Sequence, residues 1–237
     1  MRQAKRAAFL VAGLAVALLA GGPPAGAQGP GLAERVAALK QSLAQSQANL
    51  RQYEWIETTI VSLRGEAKSS KQNRCYHGAD GGVQKVPVAA TPPPDKKRGL
   101  RGKIAENKKE ELSDYMDQAV ETVKLYVPPS PDRIEAARNA GRVSFTPNPL
   151  AQRLRIDFRD YQKPGDLLTV EVDPANNRLL GFTVATYIQD AKDAVVLDVN
   201  FAALADGTTY PSSVRLDAKA KAVTVDVKNS GYRKLGS

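Results

Sequence analysis

The chain is short of most residue types that carry covalent chemistry. Its 237 residues include one cysteine, one histidine, one tryptophan and two methionines, and only 6% are aromatic. A single cysteine excludes an internal disulfide, so even in an oxidising compartment stability must come from a packed core. Cys75 and His77 are the only members of their types and stand on the same face if their segment is a strand. Two such ligands are too few for a structural zinc site. A Cys/His nucleophile pair would need an orienting third group and an oxyanion site as well. There is no Gly-rich phosphate loop, no GxSxG elbow and no HExxH, so the usual sequence routes to an enzyme are missing and no cofactor is expected. A lone Trp55 without a stacking motif speaks against nucleic acid. No internal repeat is visible.

Charge and length say more. A quarter of the residues are charged and 42% are hydrophobic, which suits one globular domain with a real core. The first 27 residues read as an export signal: Arg2, Lys5 and Arg6, then an apolar run from Ala7 to Ala20, then Ala25-Gly26-Ala27 as a small-residue cleavage site. The run is too short to span a bilayer, and Gly21-Gly22-Pro23-Pro24 breaks it. No cysteine follows the cleavage site, so lipid attachment there is not expected. Three of the 34 basic residues leave with the signal, against 25 acidic ones, so the mature chain stays basic. That balance, with Lys96, Lys97, Arg98, Arg101 and Lys103, would suit peripheral contact with an anionic membrane surface; simple solubility explains it equally.

Leu32, Val36, Leu39, Leu43 and Leu50 form one stripe of a helix over about 31–50. Tyr53 to Leu63 is rich in aromatic and β-branched residues and reads as a strand, with Ala67–Tyr76 and Val83–Ala89 returning beside it. Thr91-Pro92-Pro93-Pro94-Asp95 opens a loop. A second helix over about 103–126 carries a wide apolar face of Leu112, Tyr115, Met116, Ala119, Val120, Val123 and Tyr126, and Pro128-Pro129 ends it. Ser130-Pro131-Asp132 starts a short third helix with Ser130 as N-cap, and Gly141 closes it.

From Arg142 onward the period changes to two. Leu154, Ile156 and Phe158 alternate with Arg153, Arg155 and Asp157; Leu168, Val170 and Val172 with Thr169 and Glu171. Leu180, Phe182, Val184 and Ile188 follow, then Val195, Leu197, Val199 and Phe201, then Val214 and Leu216, then Val223, Val225 and Val227. Lys163-Pro164-Gly165-Asp166, Asp173-Pro174-Ala175-Asn176-Asn177 and Asp206-Gly207 punctuate these runs with turn chemistry. Each strand therefore has one apolar and one polar face. The acids Asp157, Glu171, Asp198 and Asp226 fall on polar faces and Asp173, Asp206 and Asp217 in turns, where solvation accounts for them. About three strands, helices, then about seven strands indicate an α+β fold: helices gathered on one face of a curved antiparallel sheet.

This order resembles the periplasmic lipoprotein-carrier family, the LolA/LolB-like half-barrel also found in the envelope-stress sensor RseB. The likeness lies in the helix LAERVAALKQSLAQSQANL running into the strand YEWIETTIVSLRGE, the polar hairpin AKSSKQNRCYHGADG, the helices in mid-chain, and the late NFAALADGTTYPSSVRL, where a Gly turn precedes a Pro and an outgoing strand. The family's Gly-Thr pair and Arg-Pro after the second strand are replaced here by Gln72 to His77. The resemblance implies a single half-barrel domain over 28–237, an unclosed sheet with helices covering its concave face, a helical insertion at about 103–140, and a concave side that receives acyl chains.

The function expected is therefore an exported, periplasmic, non-enzymatic protein that binds a lipid or an acylated envelope protein between sheet and helices. Trp55, Tyr115, Met116, Ile156, Phe158, Phe182 and Val184 are the expected lining residues. A protein–protein module of the stress-sensor kind and a hydrolase using carboxylates not identifiable from sequence are the alternatives.

Overall fold

The computed structural model describes residues 32–90 and 100–236, and the side chains of these except 32–36, 89–90 and 100–109. The expected export signal, the Pro-rich loop at 91–99 and its basic run as far as Lys103 lie outside the described positions or side chains.

Helix α1 (Leu32–Leu50) leads into β1 (Tyr53–Leu63), β2 (Glu66–His77) and β3 (Val83–Ala90). Helices α2 (Leu100–Lys124) and α3 (Pro131–Asn139) follow. Seven more strands complete the chain: β4 (Val143–Asn148), β5 (Arg153–Arg159), β6 (Leu167–Asp173), β7 (Arg178–Tyr187), β8 (Ala194–Ala203), β9 (Thr209–Ala218) and β10 (Val223–Lys234). They form one sheet of ten strands in the order β3-β2-β1-β10-β9-β8-β7-β6-β5-β4, antiparallel at every step. All neighbours but one are also neighbours in sequence. The exception is β1 with β10, where the last strand returns to pair with the first. Among the described residues nothing pairs with the outer sides of β3 and β4, so the sheet is open, curved and α+β in class, as expected.

The connection from β3 to β4 must carry the chain from one edge of the sheet to the other. Nine steps of about 4.8 Å would span about 43 Å in a flat sheet. The 25 residues of α2 cover about 37 Å, so the helix crosses the concave face rather than skirting it. α2 packs on β7 and β8, α3 on β5, and α1 on β1, β7 and β9. Their buried residues (Leu39 and Leu43, then Ala119, Val120 and Val123, then Ile134 and Ala137) meet the alternate residues of the strands. Each fully buried Val, Leu or Phe contributes about 1.5–3 kcal/mol.

Two anchors fix the helices. At the end of α1, Ser46 Oγ accepts from Thr209 N at 3.0 Å and Asn49 Nδ2 donates to Thr208 Oγ1 at 3.1 Å. After α2, the Tyr126 hydroxyl donates to Asp166 Oδ2 at 2.5 Å and lies 2.8 Å from Thr186 Oγ1. The same Asp166 carboxylate accepts from the backbone N–H groups of Tyr161, Gln162 and Lys163 at 2.5, 2.9 and 2.9 Å, closing the Asp160–Asp166 turn. Gly141, at φ +66°, ends α3 as expected, its N–H reaching Arg138 O and that of Arg142 reaching Ala137 O.

Three local expectations are corrected. Ser130 occupies the N-cap position of α3, but its side chain makes no capping bond. The Tyr161 hydroxyl instead lies 2.7 Å from Ser130 N, where it can accept. Leu180 does not share the apolar face of Phe182 and Val184. The register slips between Glu171 and Val172, and this β-bulge turns Leu179 inward in its place. Asp217 lies within β9, paired with Val196 and Thr224, rather than in a turn.

Candidate functional site

Six of the seven expected lining residues come together. Ile156 and Phe158 on β5 and Phe182 and Val184 on β7 are buried on the helix side, with Leu168 and Val170 of β6 between them. Phe158 meets the Tyr161 ring edge-on at 6.2 Å, and Tyr161 lies 5.8 Å from Tyr126. Tyr115 and Met116 of α2 pack against this cluster but stay half-buried. Burial holds the Tyr115 phenol above its ordinary pKa, and the Asp193 carboxylate adds to the effect.

The apolar face continues beyond the helices at the β4 edge. Phe145 pairs with Ile156 and shares its face, yet is 48% exposed. Val143 and Leu154 beside it are half-buried, and Leu150 at the β4–β5 turn is fully exposed. Sequence alone does not single out Phe145, because its alternation matches that of any half-buried strand. Its exposure follows from β4 being an edge with no helix above it among the main helix–strand contacts.

Trp55 lies apart from the other six, in an aromatic cluster at the β1–β10 junction. Its ring stacks on Tyr232 at 5.5 Å and 11°, and His77 lies 5.5 Å away. Tyr210 and Tyr53 flank Tyr232 at 4.3 and 6.4 Å. A register shift between Glu54 and Ile56 brings Tyr232 to this face, which periodicity cannot reveal. Next to the cluster the buried Glu57 receives Lys85 Nζ at 2.6 and 2.5 Å from its two oxygens. A buried pair of this kind is costly to break, because either partner alone is an uncompensated charge.

Cys75 sits between Trp55 and Lys85 in the register, fully buried. Burial, with the Glu57 charge, pushes its thiol up to about 11. Burial also lowers the His77 imidazole, with Arg51 nearby adding to the effect. A protonated thiol beside a neutral imidazole is the reverse of an activated nucleophile pair. Among the described residues no group of three or more His, Cys, Asp or Glu is placed to hold a metal ion.

The fold and this face define a class: an open antiparallel half-barrel, helices across its concave side, with an apolar face that outruns them. No family model and no curated protein matches the chain. Among solved structures it is similar to a DUF1329 family protein from Desulfovibrio piger, at 11% identity over 85% of this chain and 93% of that one, with a TM-score of 0.35. It is similar also to MucB, solved in complex with MucA(peri), at 9% identity over 85% of this chain and 99% of that one, with a TM-score of 0.21.

Proposed function

We propose that this is an exported, non-catalytic protein of the cell envelope that binds a hydrophobic group against the helix side of its open sheet. A lipid or the acyl chain of a modified protein has the required chemistry. The observation that carries the reading is Phe145: an aromatic side chain on the helix side of an unpaired edge strand, 48% exposed, continuous through Ile156 with the buried cluster. An exposed apolar margin leading into a core is where an acyl chain can enter without displacing polar groups. Met116 and Tyr115, half-buried on α2, give that region a flexible thioether and an amphipathic ring. Export rests on the basic start, apolar run and Ala-Gly-Ala site, and N-terminal sequencing of exported material should begin at Gln28.

A fluorescent fatty-acid analogue should bind the mature protein with micromolar affinity, about −8 kcal/mol. Met116→Trp should weaken binding and leave the fold intact. If no acyl probe binds, and Met116→Trp instead destabilises by about 1–3 kcal/mol, the interior is a filled core and the reading fails. The second reading, a protein partner adding a strand at the free edge of β3, then becomes the better one. The exposed Val86 and Val88 on that edge favour it.

A further inference from the structure

The face of the sheet turned away from the helices carries a cavity of about 420 Å³. Two register rows build it. In one, Thr183, Asp198, Arg215 and Asp226 stand side by side on β7, β8, β9 and β10. In the other, Glu171 faces Gly181, then Asn200, Ser213 and Lys228 follow. Two β-bulges lie beside these rows. One is opposite Glu171 and Val172, the other opposite Asn200 and Phe201. Each bulge bends its strand and sharpens the local twist, and together they put a hollow on a face that would otherwise bow outward.

Gly181 lies beneath this hollow, buried under the Glu171 side chain. It sits inside a central strand, where glycine is less favourable than alanine. Its φ is not in the left-handed region, and a Cβ built there would meet Glu171 Cβ and Oε2 at 3.6 Å and Val199 O at 3.7 Å, ordinary contacts. Neither backbone conformation nor crowding calls for glycine. Gly181 directly follows the bulged Leu180, and its missing side chain lets the Glu171 side chain lie low against the sheet instead of standing up into the hollow.

The groups around the hollow alternate in character. Thr183 donates to Asp198 Oδ1 at 2.9 Å, Arg215 to Asp226 Oδ1 at 3.1 Å, and Asn200 Nδ2 to Ser213 Oγ at 3.2 Å. Each bond uses one oxygen or one N–H of a group that carries more: Asp198 and Asp226 each have a second carboxylate oxygen, Asn200 a side-chain carbonyl, and Arg215 further N–H groups. An anion here would meet the carboxylates of Glu171, Asp198 and Asp226. A cation would meet Arg215 and Lys228, and an apolar ligand would strip water from both. Hydroxyl groups, each donor and acceptor at once, can use interleaved acceptors and donors without leaving a charge unpaired. We propose that this outer hollow is a binding site for a neutral saccharide, independent of the hydrophobic site on the helix side.

The test applies full-length mature protein to an array of neutral, amino and acidic saccharides, then follows the best neutral one by NMR titration of backbone amides. Retention of a neutral saccharide is expected, with shifts confined to β7–β10 residues of the outer face. Gly181→Val should abolish it by pushing the Glu171 side chain up into the hollow, and Asp198→Ala, at a solvated position, should weaken it by more than about tenfold. Both variants should keep the parent melting profile and bind the fatty-acid analogue as the parent does. If Gly181→Val unfolds, Asp198→Ala with Gly181→Ala decides in its place. Retention of no neutral saccharide, equal retention by the variants, or retention of acidic polymers alone would overturn the proposal.

Discussion

Replacing Asp166 by alanine tests how the helices are held to the sheet. The side chain is 2% exposed and its two oxygens serve four donors: the N–H groups of Tyr161, Gln162 and Lys163 and the Tyr126 hydroxyl. Alanine removes all four bonds, but at unequal cost. Tyr161 N is buried and has nothing to replace the carboxylate, a loss of about 1–3 kcal/mol. Gln162 and Lys163 are part-buried, so water can reach them, and each loses about 1 kcal/mol. Tyr126 keeps Thr186 at 2.8 Å and loses about 1 kcal/mol. The expected cost is about 4–6 kcal/mol, a large share of the 5–15 kcal/mol typical of a whole domain. Asp166→Asn can keep an oxygen toward Tyr161 but turns an amide N–H₂ toward two backbone N–H groups, so about 2–4 kcal/mol is expected. Tyr126→Phe removes one of the four bonds and should cost about 1–2 kcal/mol. Urea unfolding with a common m-value provides the measurement. An Asp166→Ala loss below about 1 kcal/mol would refute the account, since it would mean the turn is held by its backbone path alone.

Other outcomes follow from single sites. Phe182, 3% exposed, should cost about 3–5 kcal/mol as alanine, whereas Thr183→Ala on the outer face should cost about 1 kcal/mol or less; equal losses in urea melts would mean the facing is wrong. Cys75, its thiol raised to about 11 by burial, should resist a thiol reagent at pH 8 in native protein and react fully in urea; rapid native labelling would contradict its placement. Asp206 accepts from the Tyr53 hydroxyl at 2.6 Å and from Thr208, which hold its carboxyl at about 2 against an ordinary 3.8. The folded value is the lower one, so this contribution is present above the ordinary value and is lost as the pH falls through about 2. Carboxyl-carbon NMR should find Asp206 titrating near 2, moving upward in Tyr53→Phe, and a native value near 3.8 would count against the bond.

Much of the architecture was legible because it is local. α1 and the strands from β5 to β10 announce themselves through periods of 3.6 and 2, and Pro128-Pro129, Gly141 and Asp206-Gly207 mark breaks by backbone chemistry that acts within a few residues. What was not legible depends on partners far away in sequence. That Leu179 rather than Leu180 faces inward depends on a bulge set by the neighbouring strand. Trp55 was grouped with Phe182 because both are large and apolar on apolar faces, but the β1–β10 pairing places it with Tyr232 instead. Lys85 gives no sign in sequence that it will fold down half-buried; Glu57 across the sheet decides that. The outer hollow was hidden for a different reason. Asp198, Arg215 and Asp226 read as ordinary solvated strand residues one at a time, and only the register sets them in one row.

The pairing of β10 with β1 also sets an order of events. β1, β2 and β3 leave the ribosome early, but their link to the remaining strands is β10, the last strand of the sheet to be made. Until residues 223–234 have emerged, the three early strands can form at most a small separate sheet, with the β1 edge exposed. Non-local pairing of this kind is slow to nucleate, because the loop must close before any contact rewards it. A chain stopped short of Val223 would hold two unjoined sheets, each with a sticky rim. Joining the sheet therefore waits on its final strand: the twelve residues of β10 act as the zip between the two halves.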